Sequence, residues 1–237
     1  MRLVALTHPG WRRAENQDRV VVDGVVLASG KAEPVCFNVG PNVLVAVIDG
    51  MGGHPAGGVA AALAADVMAS GHGRLGSAAD VGGLVSRAND EIYTMMNRVP
   101  GLVGMGATVA GVAAINDELV VFNVGDARVY LEASGYLIQA SIDDRPPGGG
   151  SGAISQSLGG LASHTAVDVH LSREPRQSGR VLVASDGLFT HSPHEDLAAA
   201  MNLPLPGAAE ALLRSALDAG GEDNVSIALL DLSDGDR

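Results

Sequence analysis

Cysteine is almost absent from this sequence. The 237 residues include a single cysteine, Cys36, so no disulfide bond can form within the chain. Small secreted domains usually depend on disulfides, whereas proteins of reducing compartments lack them. The cysteine count therefore favours a reducing compartment, and we expect a cytoplasmic protein.

Basic residues and long apolar runs are scarce as well. The chain has 15 Lys and Arg against 27 Asp and Glu, which gives a formal net charge of −12. Nucleic acids and anionic membranes are bound through positive patches, so we expect neither as a partner. No apolar run approaches the ~20 residues that span a bilayer. The N-terminal segment MRLVALTHPGWRR has too short an apolar stretch for a signal peptide.

Small and branched apolar residues are what the sequence has in abundance. Hydrophobic residues make up 46% of the chain but aromatic residues only 3%, so the core must be filled by Val, Leu and Ala. A chain of this length can bury one large core. We therefore predict a single domain over residues 1–237.

Short runs of branched apolar residues predict a protein rich in β-strands. These runs are RLVAL, RVVVDGVVLA, NVLVAVI, ATVAGVAAI, ELVVFNV, ARVYLEA, GYLIQASI, TAVDVHL, RVLVAS and NVSIALLDL. Turn residues separate several of them at hairpin distance, at Ile115–Asp117, Gly125–Asp126 and Ser134–Gly135. Connections this short join antiparallel strands, because a parallel crossover needs about a dozen residues or more.

Helices are predicted in two long segments and two shorter ones. Pro55–Ser70 begins with a favourable first-turn residue, and Ala78–Val99 has apolar residues at helical spacing. The shorter helices fall in PHEDLAAAMN and PGAAEALLRSALDAG. The segment Ser141–Gly160, rich in Gly, Pro and Ser, is predicted to be a mobile loop. This order of elements indicates an α+β fold with helices packed outside antiparallel sheets.

Four predicted strands carry an aspartate at one end. Asp49, Asp126 and Asp186 follow apolar runs, and Asp223 comes just before the last one. Because aspartate is a poor strand residue, one such position usually marks only a turn. Four of them indicate a shared rim, where the carboxylates would repel one another without a counter-charge. No Lys or Arg adjoins Asp49, Asp186 or Asp223 in the sequence, so we expect divalent cations to supply that charge.

The residue types around these aspartates favour magnesium or manganese. The histidines are scattered, which is not the ligand spacing of zinc, whereas ligation by oxygen alone suits Mg²⁺ or Mn²⁺. Gly50 lets its carbonyl approach an ion, and Gly52 and Gly53 leave room for water and substrate. Upstream, RRAENQD supplies an arginine that can hold a phosphate oxygen through its fork of N–H donors.

Six short motifs follow one another along the chain. They are RxxNQD (13–18), DGMGG (49–53), GMGATV (104–109), NVGDAR (123–128), SDGL (185–188) and EDNVS (222–226). Together they resemble the metal-dependent serine/threonine protein phosphatases, the type 2C or PPM family, and in particular its bacterial branch. The match spans Thr7 to Asp231. The opening LTHPGWRRAENQDR is also similar to phosphatases encoded with type VI secretion systems.

This resemblance implies a central β-sandwich of two antiparallel sheets flanked by helix pairs, with a two-metal site at one end. By motif position, Asp49 would bridge both ions. Asp186 and Asp223 would complete the ligands of the first ion, and the carbonyl of Gly50 would bind the second. Asp18 would hold water around that second ion.

Two further positions matter in the resemblance. Asp126 matches the residue that, with Asp186, forms a third and weaker metal site in bacterial members. Arg13 matches the arginine that grips the phosphate, so Arg13, Asp18 and Asp49 are the expected catalytic residues.

The implied activity is hydrolysis of phosphoserine and phosphothreonine on proteins, by attack of a water that bridges two Mn²⁺ or Mg²⁺ ions. Such a phosphatase would oppose a cognate Ser/Thr kinase, and we expect it to be a monomer. The mechanism needs no cysteine nucleophile. Cys36 fits this, because the sixth position after it, an arginine in cysteine-dependent phosphatases, is Asn42.

The sequence departs from the family pattern in places. Met51 stands where some relatives have a histidine proposed as general acid, and His54 is interpreted as a polar surface residue. Gln17 replaces a common Glu, which would leave the second metal less tightly held. Ala107 replaces a usual Thr. Ser141–Gly160 is a shortened flap, which bears on substrate preference and on the third metal.

Two other interpretations stay open from the sequence. One is a catalytically silent regulatory or binding domain on the same fold, although it would have no reason to keep four mutually repelling aspartates. The other is a nucleotide-binding protein that uses the Gly-rich loop. That loop departs from GxGxxG spacing at Pro55, and no GK[ST] follows.

Hydrolysis of p-nitrophenyl phosphate separates these interpretations. We expect manganese-dependent hydrolysis that Asp186→Asn abolishes, because the substitution removes a negative ligand from the ion site. Release of p-nitrophenol would be followed by absorbance with and without manganese. Undiminished turnover by Asp186→Asn would exclude the metal-dependent mechanism.

Overall fold

The computed structural model describes residues 1–28, 31–51, 56–133, 135–148, 152–177 and 179–233. The strands in these ranges are β1 (Arg2–His8), β2 (Arg19–Val22), β3 (Val25–Leu27), β4 (Lys31–Asn38), β5 (Val43–Met51), β6 (Gly106–Ile115), β7 (Glu118–Val124), β8 (Arg128–Ala133), β9 (Tyr136–Gln139), β10 (Leu158–Gly159), β11 (His170–Pro175), β12 (Arg180–Ala184) and β13 (Val225–Asp231). The α-helices are α1 (Ala56–Gly71), α2 (Ala78–Arg98), α3 (Asp186–Phe189), α4 (His194–Ala200) and α5 (Leu205–Asp218), with 3₁₀ turns at His72–Arg74 and Pro100–Leu102.

The strands form two antiparallel sheets, as predicted. The first sheet has the order β4-β1-β13-β12-β8-β9. The second has the order β11-β7-β6-β5-β2-β3, with the short β10 paired to β6. Val, Ala and Leu side chains from both sheets meet between them, among them Val45, Val112, Val183 and Leu230. The sheets therefore stack as a β-sandwich with a purely aliphatic centre.

A helix pair covers the outer face of each sheet, which confirms the predicted α+β sandwich. Helices α1 and α2 lie on the second sheet, where the alanines of α1 are buried against the strands. Their small side chains let the helix approach the sheet closely. Helices α4 and α5 lie on the first sheet and bury Leu197, Leu212 and Leu213. Within the described ranges, no helix has the length and hydropathy needed to cross a bilayer.

Most predicted helix boundaries agree with the structure to within a residue or two. Helix α2 begins after Ser77, whose Oγ accepts a hydrogen bond from the Asp80 amide at 3.3 Å. This N-cap pairs one of the free amides of the first turn. The predicted start of α1 at Pro55 lies outside the described residues.

The predicted hairpin at Gly125–Asp126 is wrong. Strand β7 belongs to the second sheet and β8 to the first, so the chain crosses between the sheets at this point. Gly125 has φ +97°, and a Cβ there would lie 2.5 Å from Cγ2 of Thr108. The short connection is therefore a corner between two layers, which loop length alone does not distinguish from a hairpin.

Two further segments differ from the prediction. RVVVDGVVLA folds into the β2–β3 hairpin, with Asp23 and Gly24 both at positive φ. An Asp-Gly pair between apolar runs is a strong signal for such a turn. Strand β4 was not predicted, because its sequence KAEPVCFN mixes polar and apolar residues and contains a proline. It lies at the edge of the first sheet, where proline is tolerated. Cys36, which lacks the following arginine of a cysteine-dependent phosphatase, is exposed on this edge strand.

The Gly/Pro-rich segment Ser141–Gly160 is better anchored than a mobile loop. It ends in β10 (Leu158–Gly159), which pairs with β6. Near its start, the Asp143 carboxylate accepts hydrogen bonds from Arg128, the shortest at 2.7 Å. Residues 149–151 lie outside the described part of the chain. A side-chain contact near the start and strand pairing at the end therefore hold the segment, which the composition does not indicate.

A glycine pair tests the close packing of the sandwich. A Cβ on Gly111, in β6, would overlap the Val45 carbonyl and the Phe122 ring, so we expect Gly111→Ala to lower the free energy of unfolding by about 1–3 kcal/mol. Gly207, in α5, has no atom within 4 Å of its Cβ position. Gly207→Ala should stabilise the protein by up to about 1 kcal/mol, since alanine is the better helix former. Urea unfolding measures both, and equal effects would contradict this account of the packing.

Candidate active site

The four strand-end aspartates surround one cavity of about 660 Å³ at one end of the sandwich. Asp49 lies near the end of β5, and Asp126 follows β7 at the corner between the sheets. Asp186 opens α3 directly after β12, and Asp223 precedes β13. The structure thus brings together residues that are up to 174 positions apart in the sequence.

Strand pairing explains this convergence. In the first sheet, β12 ends where its antiparallel partner β13 begins, so Asp186 and Asp223 lie at the same edge. In the second sheet, β2 begins where β5 ends, so Asp18 and Asp49 adjoin. Both edges lie at the same end of the sandwich. Antiparallel partners necessarily share their ends, and this places the carboxylates next to one another.

Burial raises the pKa of three carboxyl groups in the cavity, those of Asp49, Asp126 and Asp186, and repulsion from the other cavity aspartates adds to the effect for Asp49 and Asp186. For Asp49, burial raises the pKa well above its ordinary value, and the charges of Asp18, Asp186, Asp223 and Asp126 raise it further. Burial also raises the pKa of Asp186 to about 6, with contributions from Asp126 and Asp223, although a hydrogen bond with Asp49 lowers it. Burial raises the pKa of Asp126. The cavity thus concentrates negative charge at an unfavourable electrostatic cost.

Asp18 lies beneath the cavity and does not line it. Its side chain is fully buried, and Ser185 Oγ donates a hydrogen bond to its Oδ2 at 2.8 Å. Burial raises the pKa of Asp18 to about 7, although hydrogen bonds with Ser226 and Ser185 lower it. Ser185, which follows β12, and Ser226, in β13, therefore provide hydroxyl partners from the first sheet. Their partner Asp18 precedes β2 of the second sheet.

A chain of buried polar side chains continues from Asp18 into the first sheet. The Ser226 amide donates to Ser185 Oγ at 2.9 Å, and Ser226 Oγ lies 2.7 Å from Thr7 Oγ1. The amide group of Asn16 donates to Thr7 at 2.7 Å. Buried polar groups need such partners, and a fully connected set orients each member. The network fixes the carboxylate of Asp18 beside Asp49.

Two arginines supply counter-charge that sequence adjacency did not reveal. Arg13 Nη2 lies 2.6 Å from Asp223 Oδ2, and this contact raises the pKa of Arg13. Arg145 Nη2 lies 3.3 Å from Asp126 Oδ2. The expectation that divalent metal ions alone balance the negative charge of the aspartates was therefore incomplete. Folding also brings basic side chains from distant segments to these carboxylates.

Asn224 holds the N-terminal segment against the cavity, a function that the sequence analysis missed. Its side-chain amide donates to the carbonyls of Pro9 and Glu15, both at 3.0 Å. Its Oδ1 accepts from the Gln17 amide at 2.8 Å. The residue before it is Asp223. The Asn224 side chain therefore positions the loop that carries Arg13 relative to Asp223, the carboxylate that Arg13 contacts. The Asn in the EDNVS motif was the available signal.

Polar atoms in and beneath the cavity still need a partner. Among the described residues, the buried atoms Asp18 Oδ1, Thr108 Oγ1 and Asp186 Oδ1 accept or donate no hydrogen bond. An unpaired buried oxygen is costly, and a cation can satisfy it. Nevertheless, no three His, Cys, Asp or Glu side chains in the described ranges already stand as a complete ion site. Arg13 and Arg145 hold two of the four carboxylates, Asp223 and Asp126. The donors around the cavity are oxygen atoms, which suits hard divalent ions.

A model of the family described as Protein phosphatase 2C matches residues 32–218. The chain belongs to the protein phosphatase 2C family. It is 31% identical over 257 aligned positions to the serine/threonine protein phosphatase PstP of Mycobacterium tuberculosis, covering 100% of this chain and 46% of PstP. The chain thus spans about half the length of the first curated relatives it matches.

Solved structures agree with this membership. The crystal structure of the Mycobacterium tuberculosis serine/threonine phosphatase PstP/Ppp superimposes with a TM-score of 0.82 at 27% identity, covering 99% of this chain and 100% of that one. A structure of the PstP catalytic domain in complex with two manganese ions has a TM-score of 0.78, also at 27% identity, with 98% and 99% covered. The predicted resemblance to the bacterial branch of the family is confirmed, while the link to type VI secretion stays a prediction.

In the motif DGMGG, close packing requires a glycine at position 50. A Cβ on Gly50 would lie 2.5 Å from the Gly57 carbonyl oxygen, where α1 begins. Gly50 therefore allows α1 to pack directly against the end of β5. This packing requirement does not depend on what the Gly50 carbonyl binds. Met51 lines the cavity, whereas Gly52, Gly53 and His54 lie outside the described residues.

The raised pKa values predict how stability depends on pH without metal. Because the pKa of Asp18 is about 7 and that of Asp186 about 6, the folded protein binds more protons than the unfolded chain at mildly acidic pH. The free energy of unfolding should therefore fall as pH rises from about 4 to about 7, by at most about 1.4 kcal/mol per pH unit for each group. Urea unfolding in EDTA would measure this slope.

Asp18→Asn should flatten that slope, because the amide does not titrate. Asp66→Asn, on the exposed face of α1, is the matched control and should keep the wild-type slope. A wild-type stability that increases between pH 5 and pH 7 in EDTA would contradict the account of the buried carboxyl groups.

Proposed function

We propose that this chain is a metal-dependent protein phosphatase that hydrolyses phosphoserine and phosphothreonine on proteins. The observation that carries the proposal is the convergence of Asp49, Asp126, Asp186 and Asp223 on one cavity, with an unpaired oxygen on Asp186. Family membership and the names of the relatives support the same activity. They also favour an active phosphatase over a catalytically silent domain.

Two divalent ions, Mn²⁺ or Mg²⁺, are the proposed cofactors. Asp49 would be shared by both ions, Asp186 and Asp223 would complete the first, and the carbonyl of Gly50 would serve the second. Bound ions of this kind supply a nucleophilic water near neutral pH and stabilise negative charge on phosphoryl oxygens. The PstP structure with two manganese ions supports this number of ions. Acidic residues and backbone carbonyls are the ligands that such hard cations prefer.

Asp18 contributes to the proposed site from below. The sequence predicted that it holds water around the second ion, yet its side chain is fully buried and hydrogen-bonded to Ser185. Its unpaired Oδ1 is the atom available for that task. Its charge also acts on the neighbouring Asp49. We therefore propose that Asp18 orients the second ion's surroundings without direct contact with substrate.

Arg13 has two alternative partners in the proposed mechanism. In the structure, it forms an ion pair with Asp223. If Asp223 bound an ion, the Arg13 guanidinium would be available for a phosphate oxygen, to which its planar fork of donors is well matched. The same side chain therefore balances Asp223 before loading and would hold substrate afterwards.

Several finer points belong to the same proposal. Residues 1–237 would form one catalytic domain, and the substrates would be proteins phosphorylated by a cognate Ser/Thr kinase. A monomer is expected, as is a cytoplasmic location on the evidence of the single cysteine. The net charge of −12 supports a partner other than nucleic acid.

Phosphate release from a phosphothreonine peptide tests the activity and the part of Arg13. We expect manganese-dependent release, and we expect Arg13→Ala to lower kcat/KM by roughly 10²-fold, because a donor to the developing charge is lost. Arg173→Ala is the matched control, since Arg173 forms an exposed ion pair with Glu118 on the β7–β11 edge. Its kcat/KM should equal that of the wild type.

Two results would contradict the proposal. Absence of phosphate release at any manganese concentration would exclude the activity. Equal kcat/KM for Arg13→Ala and Arg173→Ala would exclude the phosphate-binding part of Arg13 while leaving the activity in place.

A further inference from the structure

Arg145 extends from the shortened flap segment into the carboxylate cavity. Its Nη2 lies 3.3 Å from Asp126 Oδ2, and its Nε lies 3.3 Å from Asp143 Oδ2. Asp126 is only 4% exposed, so this contact is made with a buried carboxylate. Arg145 and Asp186 also line one small cavity of about 200 Å³. One arginine therefore lies beside both aspartates that the family resemblance assigns to a third metal.

The position of Arg145 is fixed by its neighbours in the chain. Arg128 donates three hydrogen bonds to the Asp143 carboxylate, between 2.7 and 3.1 Å long. On the other side, Asp144 accepts a hydrogen bond from the Gly125 amide at 2.8 Å. Gly125 directly precedes Asp126, so the two segments are joined next to the contact itself. The flap thus presents the guanidinium to Asp126 in a defined geometry.

Two further contacts of Asp144 strengthen this anchoring. Its Oδ1 lies 2.8 Å from His170 Nε2, and its Oδ2 accepts a hydrogen bond from Gln156 at 3.0 Å. His170 opens β11, whereas Gln156 lies on the far side of the flap. The segment is held at several points by the second sheet. Arg145 is therefore unlike a solvated surface arginine that contacts an acid by chance, although 41% of its side chain is exposed.

Arg145 and a third divalent ion would compete for the same place. Arginine cannot lose its proton in a protein, so its positive charge is permanent. An ion bound between Asp126 and Asp186 would meet a like charge within a few ångströms and would lose Asp126 Oδ2 as a free ligand. The arginine already offsets part of the repulsion that a third ion would otherwise relieve.

We propose that Arg145 is a built-in cation that takes the place of the third metal ion, so that this phosphatase binds two ions and not three. The inference rests on the proposed two-ion site. In this proposal Arg145 is a positioning residue, because Arg145 acts on Asp126 and Asp186 and contacts no reacting atom. It also gives the shortened flap a function, because the flap carries the replacing charge.

Isothermal titration calorimetry with manganese tests the inference through the number of ions bound. The wild-type protein should bind two ions. Arg145→Ala should bind a third, at least about tenfold more tightly than any third site of the wild type, because a unit charge a few ångströms from a divalent ion has an effect of that order even when screened. Arg145→Lys keeps the charge and should bind two ions.

A double variant and a fold control complete the design. Arg145→Ala combined with Asp126→Asn should return to two ions, because the carboxylate of the added site is removed. Near- and far-ultraviolet circular dichroism would confirm that each variant is folded before titration.

The outcomes separate the inference from the proposed function. Three ions in the wild type, or two in both wild type and Arg145→Ala, would overturn the inference alone. A wild-type protein that binds no manganese would overturn the two-ion site and the inference with it.

Discussion

Repulsion among buried carboxylates is the constraint around which this protein is organised. Asp49, Asp126 and Asp186 all have a raised pKa because the fold withdraws them wholly or partly from water, and neighbouring carboxylates raise the pKa of each further. A stable protein does not maintain such a cluster without compensation. The structure supplies part of it through Arg13 and Arg145, and the unpaired oxygens indicate that cations supply the rest.

The sandwich makes this arrangement possible because its two sheets end together. Antiparallel pairing places the ends of β12 and β5 beside the starts of β13 and β2, and an aliphatic core holds the two sheets in register. The hydroxyl groups of Ser185 and Ser226 then connect the sheets through Asp18. The site is thus assembled from rigid strand ends, which suits chemistry that depends on fixed charges. Its substrate-facing borders come from the N-terminal segment and the flap.

Local patterns in the sequence were sufficient for the helices, for most strands and for the set of aspartates. Apolar periodicity identifies α2, and the recurrence of Asp at strand ends marks Asp49, Asp126, Asp186 and Asp223. What local patterns could not predict depends on tertiary context. The link at Gly125–Asp126 is as short as a hairpin but crosses between sheets. The contacts of Arg13 and Arg145 join residues 210 and 19 positions apart, so adjacency in sequence concealed them.

Anomalous diffraction from manganese-soaked crystals, recorded at the manganese absorption edge, tests the central claim most directly. The account predicts two strong anomalous peaks in the cavity, both within bonding distance of Asp49, with the Asp223 carboxylate turned away from Arg13. Peaks that lie elsewhere on the surface, or a cavity without anomalous signal and with the Arg13–Asp223 pair intact, would contradict it.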